Sequence, residues 1–330
     1  MTARTDQVAV RGTSGRATIE ARRTLLSWSP PPVSDRSCAP RTARSLLPAV
    51  LAGLAVLATA CGGWSAAEPA PRAYSSEVRD VAVQIGGRDR SYLLQPAQGL
   101  QPGEQSALVV VLHQEGGTPQ GVALETALAG LRQRGATLAY PAGLDGSWDA
   151  GACCGTPQQN GVDDVAFVEA VLADAAEQAP VDPDRTALVG YSSGGMLTYR
   201  YMCERPGSLA AAVVVSGSLE SDCGDGITTP DVLALHGKSD GTIGFLRPKF
   251  IKALGLAPRP VVSTLDVLTR SAGCASRTTT QRAGTEVRQW AGCRGGDVQA
   301  QLVADVGHGW AKLDASRRTS EFLLTHLIEQ

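Results

Sequence analysis

The feature that most constrains this chain is an apolar run, residues 186–189, that leads directly into Gly190-Tyr191-Ser192-Ser193-Gly194 and then into a helical pattern. A strand that turns this sharply into a helix is sterically demanding. A side chain at either flanking glycine would collide with the neighbouring strand or helix, because the serine sits on a strained turn. The turn also aims the serine hydroxyl and the next backbone N–H at one point. Ser192 is therefore the first candidate for a nucleophile.

A second Gly-x-Ser-x-Gly sequence, residues 237–241, also follows an apolar strand, so the pentapeptide alone decides little in a chain with 37 glycines. The sequence that follows separates the two. Ser239 is followed by Asp-Gly-Thr-Ile-Gly and then Pro248, a pattern typical of a loop. We therefore select Ser192. The alternative is a glycine-rich strand-to-helix turn without chemistry.

Strand and helix patterns alternate from about residue 76 onward. A hairpin is predicted around Gly86-Gly87, with strands at 78–85 and 91–94. Further strands are predicted at 107–112, 136–140, before Ser192, and at 210–216, 232–236 and 298–304; helices at 121–134, 163–178, after Ser192, and at 260–272 and 314–327; and a polar loop at 141–162. This alternation predicts an α/β fold with a mostly parallel sheet, helices on both faces and no large cap domain.

The chain before residue 76 has the layout of an export signal. Residues 1–44 are basic and predicted to be disordered, residues 45–61 form an uncharged apolar stretch that ends at Cys61, and residues 62–75 are typical of a flexible linker. Small residues before Cys61 resemble a bacterial lipoprotein cleavage site, although Ala58 stands where Leu is usual. We expect lipidation of Cys61 and a location outside the cell, at the outer face of the membrane. Simple secretion and a retained membrane anchor are the alternatives.

The catalytic domain is predicted to span residues 76–330 and to be acidic. The first 60 residues hold eight arginines and three acidic residues, whereas the whole chain has 30 basic and 32 acidic ones. An acidic domain argues against nucleic acid or anionic lipid as a partner. We therefore expect a small-molecule or polysaccharide-linked substrate, membrane contact only through a lipid anchor, and a monomer.

Six cysteines fall in this domain, an even number that suits disulfides in an exported protein. They are Cys153, Cys154, Cys203, Cys223, Cys274 and Cys293. Adjacent cysteines seldom bond each other, so Cys153 and Cys154 are expected to have different partners. A zinc site is the rival hypothesis, but the sequence has no Cys-x-x-Cys pair or Cys/His cluster. We expect no metal and no cofactor.

A serine nucleophile needs a base to take its proton and an acid to orient that base. The chain has four histidines. His113 precedes the serine, His326 lies inside the last predicted helix, and His236 lies only four residues before the preferred acid. His308 remains, in a loop flanked by Gly307 and Gly309 directly after the last predicted strand. The alternative is that His308 has only a structural role in its loop.

The acid is expected on the loop after the strand at 232–236, because these groups follow in the chain order nucleophile, acid, base at the carboxyl ends of strands. Asp240 lies there. Its alternative role is that of a turn-forming Asp before a glycine. Asp225 and Asp305 are the fallback candidates.

An oxyanion needs two N–H donors. One is expected from the backbone of Ser193, and the other from the loop after the strand at 107–112, through Glu115 or Gln114. A carboxylate facing a developing negative charge would be unfavourable, so the Glu115 side chain is expected to point away. His113 is expected to brace this loop through hydrogen bonds from its ring to backbone groups.

Several motifs along residues 76–328 occur in a specific order: Leu112-His113, Trp148, Cys153-Cys154-Gly155, residues 162–165, residues 190–196, His236-Gly237 with Asp240, and residues 307–310. In content and order they resemble the secreted polyhydroxybutyrate depolymerase and feruloyl esterase family. The resemblance implies an α/β-hydrolase fold, a triad of Ser192, Asp240 and His308, and disulfides around the Cys-Cys-Gly loop. One departure is Gln114, where the family has Gly. Its side chain narrows the expected oxyanion loop.

We therefore predict a serine esterase that acts on short-chain esters or on hydroxycinnamoyl or acetyl esters of polysaccharides. A poly(3-hydroxybutyrate) depolymerase, a serine peptidase of the same fold and a non-catalytic surface lipoprotein are the alternatives. Trp148, Trp310 and Tyr191 are predicted to line the substrate groove, with buried packing as the alternative for the tryptophans. Phe245, Leu246, Phe250 and Ile251 are expected to form an apolar rim.

We also predict three disulfides. Cys274 is expected to pair with Cys293. Cys153 and Cys154 are each expected to bond Cys203 or Cys223, in an order that the sequence does not assign.

Overall fold

The structure, a computed structural model, describes residues 74–252 and 254–329. In chain order the strands are β1 Arg79–Ile85, β2 Arg88–Gln95, β3 Ser106–Leu112, β4 Ala136–Pro141, β5 Val181–Tyr191, β6 Ala211–Val215, β7 Asp231–Gly237, β8 Ser276–Arg282, β9 Thr285–Ala291 and β10 Val298–Val303. The α-helices are α1 Pro119–Thr126, α2 Gly155–Gln159, α3 Asp164–Gln178, α4 Ser193–Glu204, α5 Val261–Ser271 and α6 Ala315–Leu323. Short 3-10 helices cover Leu128–Arg134 and Ala311–Leu313, and a π-helical turn covers Leu324–Ile328.

The strands of the described residues form one sheet in the order β1-β2-β4-β3-β5-β6-β7-β10-β9-β8. The strands from β4 to β10 pair in parallel. Antiparallel pairs flank them at both edges. Because the central strands run the same way, the loops that follow β3, β5, β7 and β10 emerge at one end of the sheet, which brings the candidate residues of four distant segments together.

Both faces of the sheet are buried, as a parallel sheet requires. Alternate residues of β3 show this directly. Leu108 and Val110 pack into the cluster that contains Phe167 of α3, whereas Val109 packs into the cluster that contains Leu323 of α6. Helices therefore cover both faces, and the predicted mostly parallel α/β architecture is confirmed.

The first predicted helix is divided in the structure. The sequence predicts one helix over residues 121–134, but α1 ends at Thr126, and the next residue, Ala127, has a left-handed φ of 52°. A 3-10 helix follows, in which Leu128 and Leu131 are both buried. A spacing of three residues puts both side chains on one side of a 3-10 helix, so this tighter turn suits the burial of the two leucines.

The hairpin formed by β8 and β9 is absent from the sequence-based prediction. Every residue of β8 is exposed, so its sequence lacks the apolar alternation that marks a half-buried strand. The turn between the strands is Ala283-Gly284, with φ of 43° and 76°. Positive φ at both turn residues suits the twist of a two-residue hairpin. Gly284 between two Thr-containing runs was the available signal.

The predicted segments 1–44 and 45–61, with Cys61, lie outside the described residues, as does most of the predicted linker at 62–75. Among the described residues, no helix combines the length and the apolar character that crossing a membrane would require.

Candidate active site

The turn at Ser192 has the strained geometry that the sequence predicts. Ser192 links β5 to α4 with φ of 54° and ψ of −115°, a conformation that residues with a side chain rarely adopt. A Cβ atom added at Gly190 would collide with the carbonyl oxygen of Gly194, and one added at Gly194 would collide with the carbonyl oxygen of Leu112. The two glycines therefore let β3, β5 and α4 approach each other closely around Ser192.

The second Gly-x-Ser-x-Gly sequence has a different geometry. Ser239 is exposed in a turn after β7, and its backbone N–H donates to the carbonyl oxygen of Val306 at 3.0 Å. The next α-helix, α5, begins only at Val261. The turn at Ser239 is not a strand-to-helix elbow.

Ser192, His308 and Asp240 lie in a hydrogen-bonded row. The His308 ring places Nε2 3.0 Å from Ser192 Oγ and Nδ1 2.8 Å from Asp240 Oδ2. A carboxylate accepts hydrogen bonds, so Nδ1 carries the proton in the neutral ring and Nε2 is free to accept from the serine hydroxyl. The His308 side chain keeps 20% of its surface exposed, whereas that of Asp240 is fully buried. The base therefore reaches solvent, and the acid does not.

Asp240 is held by donors on both of its carboxylate oxygens. Oδ1 accepts from the backbone N–H of Thr242 at 2.7 Å and of Ile243 at 2.9 Å. Burial alone would raise the pKa of Asp240, but hydrogen bonds from His236 and His308 outweigh it and hold the pKa well below its usual range. Asp240 is therefore ionised beside His308 at neutral pH. The contact from His236 is one that the sequence analysis did not find.

The candidate oxyanion donors have no competing partners. In the described part of the chain, the backbone N–H groups of Ser193, Gln114 and Glu115 donate to no other residue. The carboxylate of Glu115 accepts from Ser147 Oγ at 2.7 Å, and burial, which Ser147 partly offsets, raises its pKa. Glu115 is thus turned toward Ser147, as expected if its backbone and not its carboxylate serves the site. The side-chain Oε1 of Gln114 is buried and finds no partner among the described residues.

His113 braces this loop from within. Its Nε2 accepts the backbone N–H of Gly143 at 2.9 Å, so the ring proton lies on Nδ1, which donates to the carbonyl oxygen of Gln114 at 2.8 Å. Burial lowers the pKa of His113, which keeps the ring neutral. The ring therefore joins the loop after β3 to the loop after β4.

Trp148 and its neighbour Asp149 are fixed by a buried ion pair. The guanidinium of Arg90, on β2, lies 2.8 Å from the carboxylate of Asp164 and 3.8 Å above the ring centre of Phe167. The other oxygen of Asp164 accepts the backbone N–H of Asp149 at 2.7 Å. The indole N–H of Trp148 donates to the carbonyl oxygen of His113 at 2.8 Å.

The prediction that Trp148 and Trp310 line the substrate groove is wrong, because both side chains are completely buried. The indole N–H of Trp310 donates to Ser316 Oγ at 2.8 Å. Tyr191 stacks on the His308 ring with centroids 5.8 Å apart and meets Trp310 edge-on at 5.9 Å. Tyr191 is the aromatic residue of the predicted three that touches the candidate site.

The predicted apolar rim is partly present. Leu246 and Phe250, on the loop after Asp240, expose 67% and 70% of their surfaces. Phe245 is instead half-buried, with the amine of Lys238 5.7 Å from its ring centre. Two apolar side chains therefore face solvent on the loop that carries the candidate acid.

The structure pairs the cysteines as Cys153–Cys154, Cys203–Cys223 and Cys274–Cys293. The predicted Cys274–Cys293 pair is present. The prediction that Cys153 and Cys154 each bond Cys203 or Cys223 is wrong. The sulfur of Cys154 lies 4.0 Å from that of Met196, in the first turn of α4. Cys203 lies two turns further along α4, about 10 Å away at 1.5 Å per residue, so it is out of reach and bonds Cys223.

A scan against known protein families finds no family that matches the chain. Among solved structures, an acetyl xylan esterase from Aspergillus awamori superposes with a TM-score of 0.57 at 17% identity, covering 74% of this chain and 98% of that one. The chain therefore has the α/β-hydrolase fold, as the sequence predicts.

Two curated proteins resemble the chain in sequence. One, from Nocardia uniformis subsp. tsuyamanensis, bears the name esterase NocK and is 29% identical over 236 residues, which cover 69% of this chain and 68% of that protein. Feruloyl esterase C of Emericella nidulans is 31% identical over 163 residues, 48% of this chain and 56% of that protein. The predicted resemblance to feruloyl esterases is thereby confirmed. Within the α/β-hydrolases, the chain is a carboxylic ester hydrolase.

Proposed function

We propose that this carboxylic ester hydrolase works through an acyl-enzyme formed on Ser192, with His308 as base and Asp240 as the acid that orients it. The observation that carries the proposal is the His308 ring, which lies within hydrogen-bond distance of Ser192 Oγ and of Asp240 Oδ2 at the same time. A positioned nucleophile, base and orienting acid are the parts that acyl transfer requires.

In the first half-reaction, Ser192 Oγ attacks the ester carbonyl carbon while His308 Nε2 takes the hydroxyl proton. The negative charge on the carbonyl oxygen is met by the backbone N–H groups of Ser193 and Glu115, with Gln114 as the alternative to Glu115. The carbon–oxygen bond of the ester then breaks, and the leaving alkoxide takes the proton from Nε2. In the second half-reaction, water loses a proton to Nε2 and attacks the acyl carbon. The bond between that carbon and Ser192 Oγ then breaks, the carboxylic acid leaves, and Oγ takes the proton back from Nε2.

We further propose that the substrates are short-chain acyl esters and acetyl or hydroxycinnamoyl esters of polysaccharide fragments. Two of the proteins that resemble the chain are named feruloyl esterase and acetyl xylan esterase. His308 is partly exposed, so an ester attached to a larger molecule has access to the base. Leu246 and Phe250 offer exposed apolar surface on the loop that carries Asp240. This surface suits the acyl or aromatic part of such a substrate.

The test is a fluorophosphonate label with peptide mapping, followed by a substrate panel. The label is expected on Ser192 and is expected to be lost in Ser192→Ala but kept in Ser239→Ala. The panel contains p-nitrophenyl acetate, methyl ferulate, an acetylated xylo-oligosaccharide, amorphous polyhydroxybutyrate and a peptide anilide. A clear preference for the polyester or for the anilide would contradict the proposed substrate class, and a label on Ser239 would contradict the nucleophile.

The proposal includes export and a lipid anchor at Cys61. The apolar stretch before Cys61 and the disulfides of the catalytic domain support it. Palmitate labelling of the full chain in a bacterial host, with Cys61→Ser as control, tests it. The variant is expected to lose the label and to leave the membrane fraction. If the wild-type protein takes up no palmitate, the proposed lipid anchor is wrong, whereas the proposed reaction at Ser192 is unaffected.

A further inference from the structure

The candidate acid is contacted by two imidazole rings on the same oxygen. His236, the second-to-last residue of β7, places Nε2 3.2 Å from Asp240 Oδ2. His308 places Nδ1 2.8 Å from that same oxygen. The side chain of His236 is 2% exposed and that of Asp240 is fully buried, so water does not substitute for either partner.

The surroundings of His236 fix where its proton lies. Nε2 is 3.1 Å from the carbonyl oxygen of Ile243 as well as 3.2 Å from Asp240 Oδ2. A carbonyl oxygen can only accept, and an ionised carboxylate can only accept. Nε2 therefore carries a hydrogen, which bonds to the carbonyl oxygen of Ile243 and has Asp240 Oδ2 as its second acceptor neighbour at 3.2 Å.

With this donor, both oxygens of Asp240 are supplied by hydrogen bonds. The backbone N–H groups of Thr242 and Ile243 donate to Oδ1, His308 donates to Oδ2, and the N–H of His236 lies 3.2 Å from that same oxygen. Without His236, Oδ2 would have His308 as its one side-chain neighbour among the described residues and could draw closer to that ring. The N–H of His236 on the same oxygen opposes this movement.

We infer that His236 is a positioning residue for the esterase reaction: by donating to Asp240 Oδ2 it fixes the carboxylate and moderates the negative charge that Asp240 offers to His308. The inference rests on the proposed function of Ser192, His308 and Asp240. His236 itself touches neither the serine nor the place of the substrate, so it acts through Asp240.

The inference makes a statement about pH dependence. A variant without the His236 donor has more negative charge on the side of Asp240 that faces His308, so the acid limb of its kcat/KM profile is expected at higher pH than that of wild type. The other groups that face this pair are Lys249, whose amine donates to the backbone carbonyl of Asp240 at 2.6 Å, and Tyr191, whose ring stacks on His308. Neither of them contacts the Asp240 carboxylate.

The experiment compares three variants of the full chain: His236→Gln, His236→Asn and His236→Leu. Gln places an amide donor where His has Nε2, Asn places it where His has Nδ1, and Leu has no donor. For each, kcat/KM for p-nitrophenyl acetate is measured from pH 4.5 to 9, together with the circular dichroism spectrum and the stoichiometry of fluorophosphonate labelling.

We expect His236→Leu and His236→Asn to lower the plateau of kcat/KM by about tenfold, because each loses a hydrogen bond to a charged group. Both variants are also expected to move the acid limb of the profile upward by about half a pH unit. Gln is expected to recover most of both losses. If Leu does not fold, the comparison of Gln with Asn decides.

The inference would be overturned if His236→Gln and His236→Asn had the same pH profile of kcat/KM, or if His236→Leu kept the acid limb of wild type. A folded wild-type protein that hydrolyses no ester and takes up no fluorophosphonate would instead overturn the proposed function. The two failures are therefore distinguishable.

Discussion

The indole N–H of Trp148 donates to the carbonyl oxygen of His113 at 2.8 Å, and the same oxygen would collide with any side chain at Gly194. The loop that carries the candidate oxyanion donors is thus held between a buried tryptophan on one side and the start of α4 on the other. We expect the distance between the candidate N–H donors to depend on this contact.

Trp148→Phe is expected to lower kcat for p-nitrophenyl acetate by about tenfold with little change in KM. The phenyl ring fills most of the space but leaves the His113 carbonyl without its donor, a loss of about 1 kcal/mol or more. Trp290→Phe is the matched control, because Trp290 is buried in β9, far from this loop in the sheet order. Equal kcat losses in the two variants would contradict a role of Trp148 at the oxyanion loop.

Ser192→Ala is expected to lower kcat for esters by about 10⁴- to 10⁶-fold, because nucleophile and base act as one unit. His308→Ala is expected to cause a loss of the same size. Ser239→Ala is expected to stay within about threefold of wild type, since Ser239 is exposed in a turn and the described hydrogen bonds of the His308 ring go to Ser192 and Asp240. If Ser239→Ala were inactive and Ser192→Ala remained active, Ser239 and not Ser192 would be the nucleophile.

Asp240→Asn is expected to cost about 10⁴-fold in kcat at neutral pH while the fold is retained. An asparagine side chain has one accepting oxygen and one NH₂ group. If its oxygen accepts from His308 Nδ1, its NH₂ group faces the backbone N–H donors of Thr242 and Ile243; if it turns around, the NH₂ group faces Nδ1. Steady-state kinetics and fluorophosphonate labelling rates check this. A loss below about tenfold would favour one of the fallback acids, Asp225 or Asp305.

How well the sequence predicts the molecule depends on how local the signal is. Ser192 was found because strand, turn and helix are adjacent in the chain, and the parallel sheet because strand and helix patterns alternate along residues 76–330. The contact of His236 with Asp240 was missed because sequence spacing alone argued against a catalytic role. The polar strand β8 was missed because none of its residues is buried. The burial of Trp148 and the partner of Cys154 depend on how loops pack against α4, which periodicity does not reveal.

The unfolding free energy is expected to fall as the pH drops below about 6.5, through His113. Burial lowers the pKa of His113 below the 6.5 of the unfolded chain, so the unfolded state binds the proton more readily. The contribution is fully present above 6.5 and is lost as pH falls through the folded-state pKa. Urea titrations at pH 7.5 and pH 5 are compared for wild type and His113→Gln, which does not titrate. If the difference in unfolding free energy between wild type and His113→Gln were the same at pH 7.5 and at pH 5, the assignment to His113 would be wrong.

Peptide mapping under non-reducing conditions is expected to find Cys203 linked to Cys223 and Cys274 linked to Cys293, with Cys153 and Cys154 oxidised within one peptide. Replacing both Cys203 and Cys223 by Ala is expected to destabilise the domain by about 3 kcal/mol, because the bond closes a loop of about 20 residues. Thermal unfolding with and without reductant measures it. A peptide that links Cys154 to Cys203 would contradict the structure.

The ion pair between Arg90 and Asp164 gives the outer hairpin of the sheet an unexpected part in the chemistry. β1 and β2 lie at one edge of the sheet and carry none of the candidate catalytic residues, so a truncation that removes them first is a natural choice. Such a truncation also removes Arg90. The carboxylate of Asp164 would then remain buried without its cation, and Asp149, Trp148 and the His113 carbonyl would lose their order in turn. We therefore expect the smallest active unit to begin before β2, and we expect substitutions in this hairpin to alter turnover.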